Sequence, residues 1–242
     1  MTTWWSKSIL YGGVAAVLLL PIGALGTRAG LWGFEVGFIL LQLGILLALV
    51  GLGGGIPGVI AARRRSLSRD LWATVSGMAL GFAVAVFLGM QLLKGLSGPL
   101  IHHVSTNTED PPEFIEIVGL RGEGANPLEF DAEKIAPLQA EFFPWIEPLL
   151  LRATPDEAFD EALFVLMDMG LEVVATHPEE GLIEAVDTTF WFGFKDDVAV
   201  RVRAYPQGSV VDARSISRVG LTDMGTNAER VKEIFRRLSG GS

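Results

Sequence analysis

The chain contains no cysteine, so disulfides, thiolate nucleophiles and cysteine-ligated metals are all excluded. Histidine is almost as scarce, with only His102, His103 and His177. The adjacent pair His102–His103 would point in opposite directions along an extended backbone, so no metal site is expected there. Several constellations of chemistry are also missing. There is no Gly-x-Ser-x-Gly elbow, no Gly-x-x-x-x-Gly-Lys-Ser/Thr loop and no His-Glu-x-x-His pair. Carboxylates are plentiful, but spacing singles out no pair for acid–base work. No cofactor is expected, and a non-catalytic protein is the leading expectation.

Acidic residues are nearly absent from the first 100 positions. That stretch holds only Glu35 and Asp70, against seven lysines and arginines. The remaining 142 residues hold twelve basic and twenty-six acidic side chains. Such an acidic half repels phosphates and argues against nucleic acid as a partner. The division predicts two objects, an apolar N-terminal part over 1–100 and an acidic globular part over 101–242.

A membrane-spanning helix needs about 20 predominantly apolar residues. Residues 8–26, 31–50 and 71–90 each satisfy this, so the lipid bilayer is the first expected partner. Because two further spans follow the first, it reads as a retained helix rather than a cleaved signal. Arg63, Arg64, Arg65 and Arg69 crowd the second connection, while the first carries only Arg28. Positive charge marks the cytoplasmic side. The expected placement is therefore a multi-pass bacterial inner-membrane protein with a cytoplasmic N-terminus and a periplasmic 101–242.

The run Gly53-Gly54-Gly55 with Pro57 predicts that the second helix breaks near residue 51 and continues as a short interfacial segment. That reading is preferred to a transport role, since Glu35 and Gln42 are too few polar groups for a pathway. Ala73, Gly77, Gly81, Ala85 and Gly89 form a ridge of small residues on the third span. Such a ridge lets another helix approach closely. Packing within the three-helix bundle is the first use expected of it, and homo-oligomerisation the second.

Beyond the spans, residues 101–153 combine many prolines with many apolar side chains. This predicts an extended arm laid over the following domain, with a short helix near Ala132–Phe142. Thr154-Pro155-Asp156-Glu157 is a capping box opening a helix that ends at Gly170. Four strands follow, over 171–176, 182–194, 198–205 and 210–218, with Lys195-Asp196-Asp197 as a tight turn. Thr226–Glu229 reads as a second capping box, for a helix that buries Val231, Ile234, Phe235 and Leu238 and exposes Arg230. The predicted fold is α+β: a three-helix transmembrane bundle, then a two-layer domain with a four-stranded antiparallel sheet packed against two helices.

Alternation along the strands sorts their faces. Phe190, Phe192 and Phe194 with Val198, Val200 and Val202 are assigned to the helices. The opposite face then carries Asp187, Thr189, Trp191, Arg201, Arg203, Asp212, Arg214 and Arg218. Cross-strand Asp–Arg pairs that merely solvate an exposed sheet are the plainer reading. The functional alternative makes Asp187, Trp191, Arg201, Arg203, Asp212, Arg214 and Arg218 a binding surface for an anionic group or a partner protein. The arm over 101–153 is itself a candidate cover for this face.

The strings Asp187–Val198, Arg201–Arg203, Asp212–Gly220 and Asp223–Arg230 resemble the bacterial domain-of-unknown-function family numbered fourteen ninety-nine. The resemblance extends back through Pro148, Pro144 and Gln139 to Asp110–Phe114 and His103–Thr106. It implies that the arm belongs to the domain, and it matches a membrane-bound arrangement expected among proteobacterial members. It brings no activity and no catalytic residues. The function expected is a membrane-anchored envelope protein whose outer domain binds a membrane or envelope protein partner or assists a membrane complex. A lipid- or quinone-handling domain and an undetected hydrolase are the alternatives.

Overall fold

The computed structural model describes residues 2–240. By internal contacts the chain divides into two units. One comprises the chain up to Lys94 together with Phe190–Gly193; the other comprises Gly95–Thr189 and the chain from Phe194 onward.

The first unit is helical: α1 (Trp4–Arg28), α2 (Phe34–Arg64) and α3 (Ser68–Ser97). All three are long and apolar enough to cross a membrane. The expected break in α2 does not occur, because the helix runs unbroken through Gly53–Gly55 and Pro57. At 31 residues it is about 46 Å long. Two physical reasons keep it whole. Proline forfeits only one backbone donor, and in lipid every other donor must bond within the chain. Gly53 and Gly54 face open space, whereas Gly55 and Gly58 admit close packing: a Cβ at Gly55 would overlap the Met78 side chain, and one at Gly58 would lie 3.0 Å from Trp5 and 3.2 Å from Thr74. The middle of the small-residue ridge of α3, Gly77 and Gly81, packs inside the bundle, while at Gly89 a Cβ would meet nothing within 4 Å. A Cβ at Gly77 would overlap the Ile9 backbone, and one at Gly81 would press on the Ala48 carbonyl at 3.1 Å. Near the start of α3, buried Asp70 accepts bonds from the Thr3 amide at 2.7 Å and the Ser6 hydroxyl at 2.5 Å. This ties the first turn of α1 to α3.

The second unit is an α+β domain. In chain order it contains β1 (His103–Ser105), α4 (Ile117–Leu120), α5 (Ala132–Phe142), β2 (Leu149–Leu151), α6 (Pro155–Asp168), β3 (Glu172–His177), β4 (Leu182–Thr188), β5 (Lys195–Tyr205), β6 (Gly208–Ser217) and α7 (Thr226–Leu238). The sheet has six strands rather than the four expected, in the order β1-β6-β5-β4-β3. Every pairing is antiparallel, and β2 also pairs with β6. Both additional strands come from the arm. They share the outer edge of β6, β1 opposite 214–216 and β2 opposite 209–211. The buried Gln139 of α5 then closes β1, accepting from the Ser105 amide at 3.0 Å and donating to its carbonyl at 2.8 Å. A side-chain amide thus acts in place of a further strand.

The helix starts differ. Thr154 and Glu157 form the reciprocal capping box at the head of α6. At α7 the cap falls on Gly225 instead, and the Asp223 carboxylate takes the Asn227 amide at 2.8 Å. Thr226 is therefore inside the helix, and no capping box forms there. One buried cluster joins Phe159, Ala162, Val165 and Leu166 of α6 with Val231 and Ile234 of α7 and the strand residues Ile183, Ala185, Val198, Val200, Val211 and Ala213. A second, smaller cluster lies on the other face of the sheet, where Phe114, Ile117 and Leu128 of the arm meet Leu182, Val186, Ala199 and Ile216.

Candidate functional site

The arm-side face of the sheet is built around buried ions. Glu184 of β4 is fully buried among apolar strand neighbours. Its carboxylate accepts the backbone N–H groups of Ile115, Glu116 and Ile117, each at 3.0 Å. His177 Nε2 lies 3.2 Å from Oε1 of the same group. The arm needs this partner because Pro111 and Pro112 deny it regular structure, and buried amides must be satisfied somehow. Charge-assisted bonds to a carboxylate are the strong way to do so.

Asp197, also fully buried, holds two arginines. Arg218 donates to it through Nη2 at 2.7 Å and Nε at 2.9 Å, and Arg121 of the arm completes the triad. Burial lowers the pKa of Arg121, with Asp197 acting in the opposite direction. Arg218 Nη1 also reaches the Leu120 carbonyl at 3.0 Å.

Arg214 is buried with neutral acceptors. Its Nε donates to His103 Nε2 at 2.8 Å, and Nη1 donates to the Pro112 carbonyl at 2.8 Å. Nη2 donates to the Leu128 carbonyl, and the guanidinium lies 4.9 Å from the Phe114 ring centroid. Burial pulls Arg214 down to about 10. Burial, and then the Arg214 charge, pull His103 down to about 2. His103 is accordingly neutral, with its Nε2 lone pair facing Arg214.

At the next corner Asp212, fully buried, accepts from Arg203 Nη2 at 2.6 Å and Arg201 Nη2 at 3.2 Å. Arg201 also donates to the carbonyl of Asp110 at 2.6 Å and to its carboxylate at 2.9 Å. Asp212 Oδ1 and Arg201 Nε are buried without a hydrogen-bond partner among the described residues. The outer part of this corner is open, with the Asp110 side chain 66 % and that of Arg203 42 % exposed.

The seven residues selected from sequence therefore separate. Arg201, Arg203, Asp212, Arg214 and Arg218 share the arm-side face. Asp187 does not; it lies on the helix side, where it accepts from Arg230 at 2.7 Å. Arg230 also donates to Asp196 at 2.6 Å and to the Ser215 hydroxyl at 3.0 Å. Arg230 is buried rather than exposed, since two carboxylates compensate its charge there. Burial raises the pKa of Asp196, and the Arg230 charge opposes that shift. Trp191 belongs to neither face. It lies in the loop after β4; of the phenylalanines expected in the core, Phe190 is exposed beside it, and Phe192 and Phe194 are half-buried outside the two clusters of the sheet.

The cause of the misplacement is the hairpin. Lys195-Asp196-Asp197 is not a turn but the start of β5, and the loop is closed earlier by the Thr189 amide donating to the Phe194 carbonyl at 2.8 Å. Leu182 then stands opposite Arg201 and Glu184 opposite Ala199. This puts the even residues of β4, not the odd ones, on the arm side. Glu184, Asp197, Arg121 and His103 were missed as members of the site. A signal for the first was available: a lone carboxylate inside Leu-Ile-Glu-Ala-Val requires a specific partner.

Among the described residues, no group of three or more His, Asp or Glu side chains is placed to hold a metal ion. A surface cavity of about 180 Å³ is lined by Trp145, Ile146, Val231, Lys232 and Phe235.

These features define a class: a chain with three helices apolar enough to span a membrane and an α+β domain whose arm is pinned by buried charge. Residues 103–238 match the model of the family described as "Protein of unknown function (DUF1499)", and the chain belongs to that family. The match includes the arm from His103 onward and its buried clamps. No curated protein and no solved structure matches the chain.

Proposed function

We propose that this protein is a non-catalytic, membrane-anchored envelope protein that binds a partner protein or assists a membrane complex. In this reading it lies in a bacterial inner membrane with its N-terminus in the cytoplasm and its α+β domain in the periplasm. Support for the orientation comes from Arg63, Arg64, Arg65 and Arg69, which gather on the connection after α2.

One observation carries the binding reading. The buried charges of the sheet are engaged by the chain's own arm and by α7, and on the arm side the Asp110–Arg201–Arg203 corner opens to solvent at Asp110 and Arg203. Arg203, half-exposed beside the open Asp110, can offer its guanidinium to a carboxylate on a partner surface. The test is purification from native membranes in mild detergent, comparing wild type with Arg203→Glu. A specific membrane or envelope partner is expected with the wild type and is expected to be lost with the variant. A solitary monomer under every extraction condition would overturn the proposal.

A lipid- or quinone-handling role is the second reading. Its support is the cavity lined by Trp145, Ile146, Val231, Lys232 and Phe235. At about 180 Å³ it is smaller than the roughly 300 Å³ at which small-molecule pockets begin. Mass spectrometry of organic extracts from the purified protein checks this reading. A bound isoprenoid or acyl lipid displaced by Val231→Trp would favour it.

A further inference from the structure

The loop Phe190–Gly193 is unexplained by any clamp of the sheet. Its ends are pinned: the Thr189 amide donates to the Phe194 carbonyl, and the Phe194 amide donates to the Thr189 hydroxyl at 2.9 Å. Gly193 closes the turn at φ +69°, a conformation that side-chain-bearing residues rarely adopt. Such a turn requires a glycine but no aromatic residue, yet its other three positions are Phe190, Trp191 and Phe192. Phe190 and Trp191 pack edge to face, with ring centroids 5.3 Å apart. They remain 69 % and 55 % exposed.

By its contacts this loop is a member of the helical unit. The Phe192 ring lies 5.2 Å from that of Phe38. Arg28 Nη1 donates to the Phe190 carbonyl at 2.5 Å, and the guanidinium stands 5.5 Å from the Phe190 ring centroid. Arg28 is the last residue of α1 and Phe38 is in the second turn of α2, so these contacts mark one end of the helices. Trp32 is in the connection at that same end. Leu25, Leu31 and Phe38 there are exposed apolar side chains. Aromatic residues collect where a spanning helix meets the headgroup layer, with an apolar body in acyl chains and a polar edge in water.

We infer that Phe190–Gly193 is a lipid-contacting foot, with Phe190 and Trp191 seated in the headgroup–acyl boundary beside Trp32. The inference rests on the reading that α1–α3 span a bilayer. It goes beyond that reading by assigning the loop between β4 and β5 to the membrane surface.

The natural absence of cysteine makes the test direct. Single-cysteine variants Trp191→Cys, Ile39→Cys on the exposed face of α2, and Gln207→Cys in the turn at the other end of β5 are labelled with an environment-sensitive dye. The full chain is reconstituted in phosphatidylcholine–phosphatidylglycerol vesicles containing acyl-chain nitroxide lipids, and iodide serves as the aqueous quencher. Nitroxide quenching at Trp191→Cys should approach that at Ile39→Cys and exceed that at Gln207→Cys several-fold, with iodide quenching reversed in order. Phe190→Cys, which keeps Trp191, should repeat the result. If Ile39→Cys is quenched by nitroxide while Trp191→Cys and Phe190→Cys match Gln207→Cys, the foot is overturned and the spanning reading stands. Shielding of Trp191→Cys and Phe190→Cys from both quenchers would mean that a second copy or a partner protein covers the loop, which also overturns the inference. Absence of nitroxide quenching at Ile39→Cys overturns the spanning reading, and the foot with it.

Discussion

The two faces of the sheet are both buried, but by different means. On the helix side, Val198, Val200 and Val202 meet apolar side chains of α6 and α7 in one continuous cluster, with buried charge confined to the place where Arg230 of α7 meets Asp187 and Asp196. On the arm side, a small apolar patch is surrounded by Glu184, Asp197, Asp212 and Arg214, all of them buried. The cause lies in what covers each face. A helix satisfies its own backbone and presents only side chains, so apolar strand residues suit it. The arm, interrupted by Pro111, Pro112 and Pro127, presents unpaired N–H and C=O groups. Charged side chains on the strands satisfy these groups, as Glu184 does for three amides and Arg214 for two carbonyls. Charge on a strand therefore marks irregular backbone as its cover as readily as it marks solvent.

The sharpest way to break this contrast is Glu184→Ala. It strands the amides of Ile115, Glu116 and buried Ile117 at once, and losing a charged acceptor of this kind costs about 3 kcal/mol or more in sum. Thermal unfolding of the full chain in detergent should fall accordingly. Hydrogen exchange at Ile115–Ile117 should become fast while Val198–Val202 stay protected. The matching change on the helix side is Ile234→Ala, expected to cost about 3 kcal/mol through a lost side chain and residual cavity. It should lower global stability without selective exchange in the arm.

A pH titration separates the faces next. His103 is held neutral by burial and by Arg214, its pKa lowered from 6.5 to about 2. Below pH 6.5 the unfolded chain therefore binds a proton that the folded chain refuses, so stability is complete above that pH and declines as pH falls toward 2. The slope from this residue is about 1.4 kcal/mol per pH unit. In His103→Asn, melting temperature plotted against pH should be flatter between pH 6.5 and 4.5; an unchanged slope would count against the assignment. Smaller again is Thr154→Ala, which removes the α6 capping box for about 1 kcal/mol with no arm-specific effect. Smallest is Asp110→Asn at the open corner, where an exposed pair is worth at most about 1 kcal/mol. Its effect should shrink further in high salt.

Local chemistry was sufficient for much of the chain. Three apolar runs announced α1–α3, and the Thr154–Glu157 spacing announced its capping box, because each is decided within a few residues of itself. The alternation of valine with arginine along β5 likewise gave the correct faces for Val198, Val200 and Val202 and for Arg201 and Arg203. Long-range pairing decided the rest. The three-residue strands β1 and β2 exist only because β6 offers them an edge. The side on which Asp187 falls depended on where one hairpin closes, and moving that closure exchanges every side chain of β4 between faces. Pro57 read as a break because local propensity ignores solvent, whereas a bilayer leaves the backbone no partner outside its own helix. Sequence established that the Arg–Asp residues of β5 and β6 share a face. Only the tertiary structure decided that this face is covered, because the cover is a segment 67 to 76 residues earlier in the chain, whose amides Glu184 accepts and whose Arg121 pairs with Asp197.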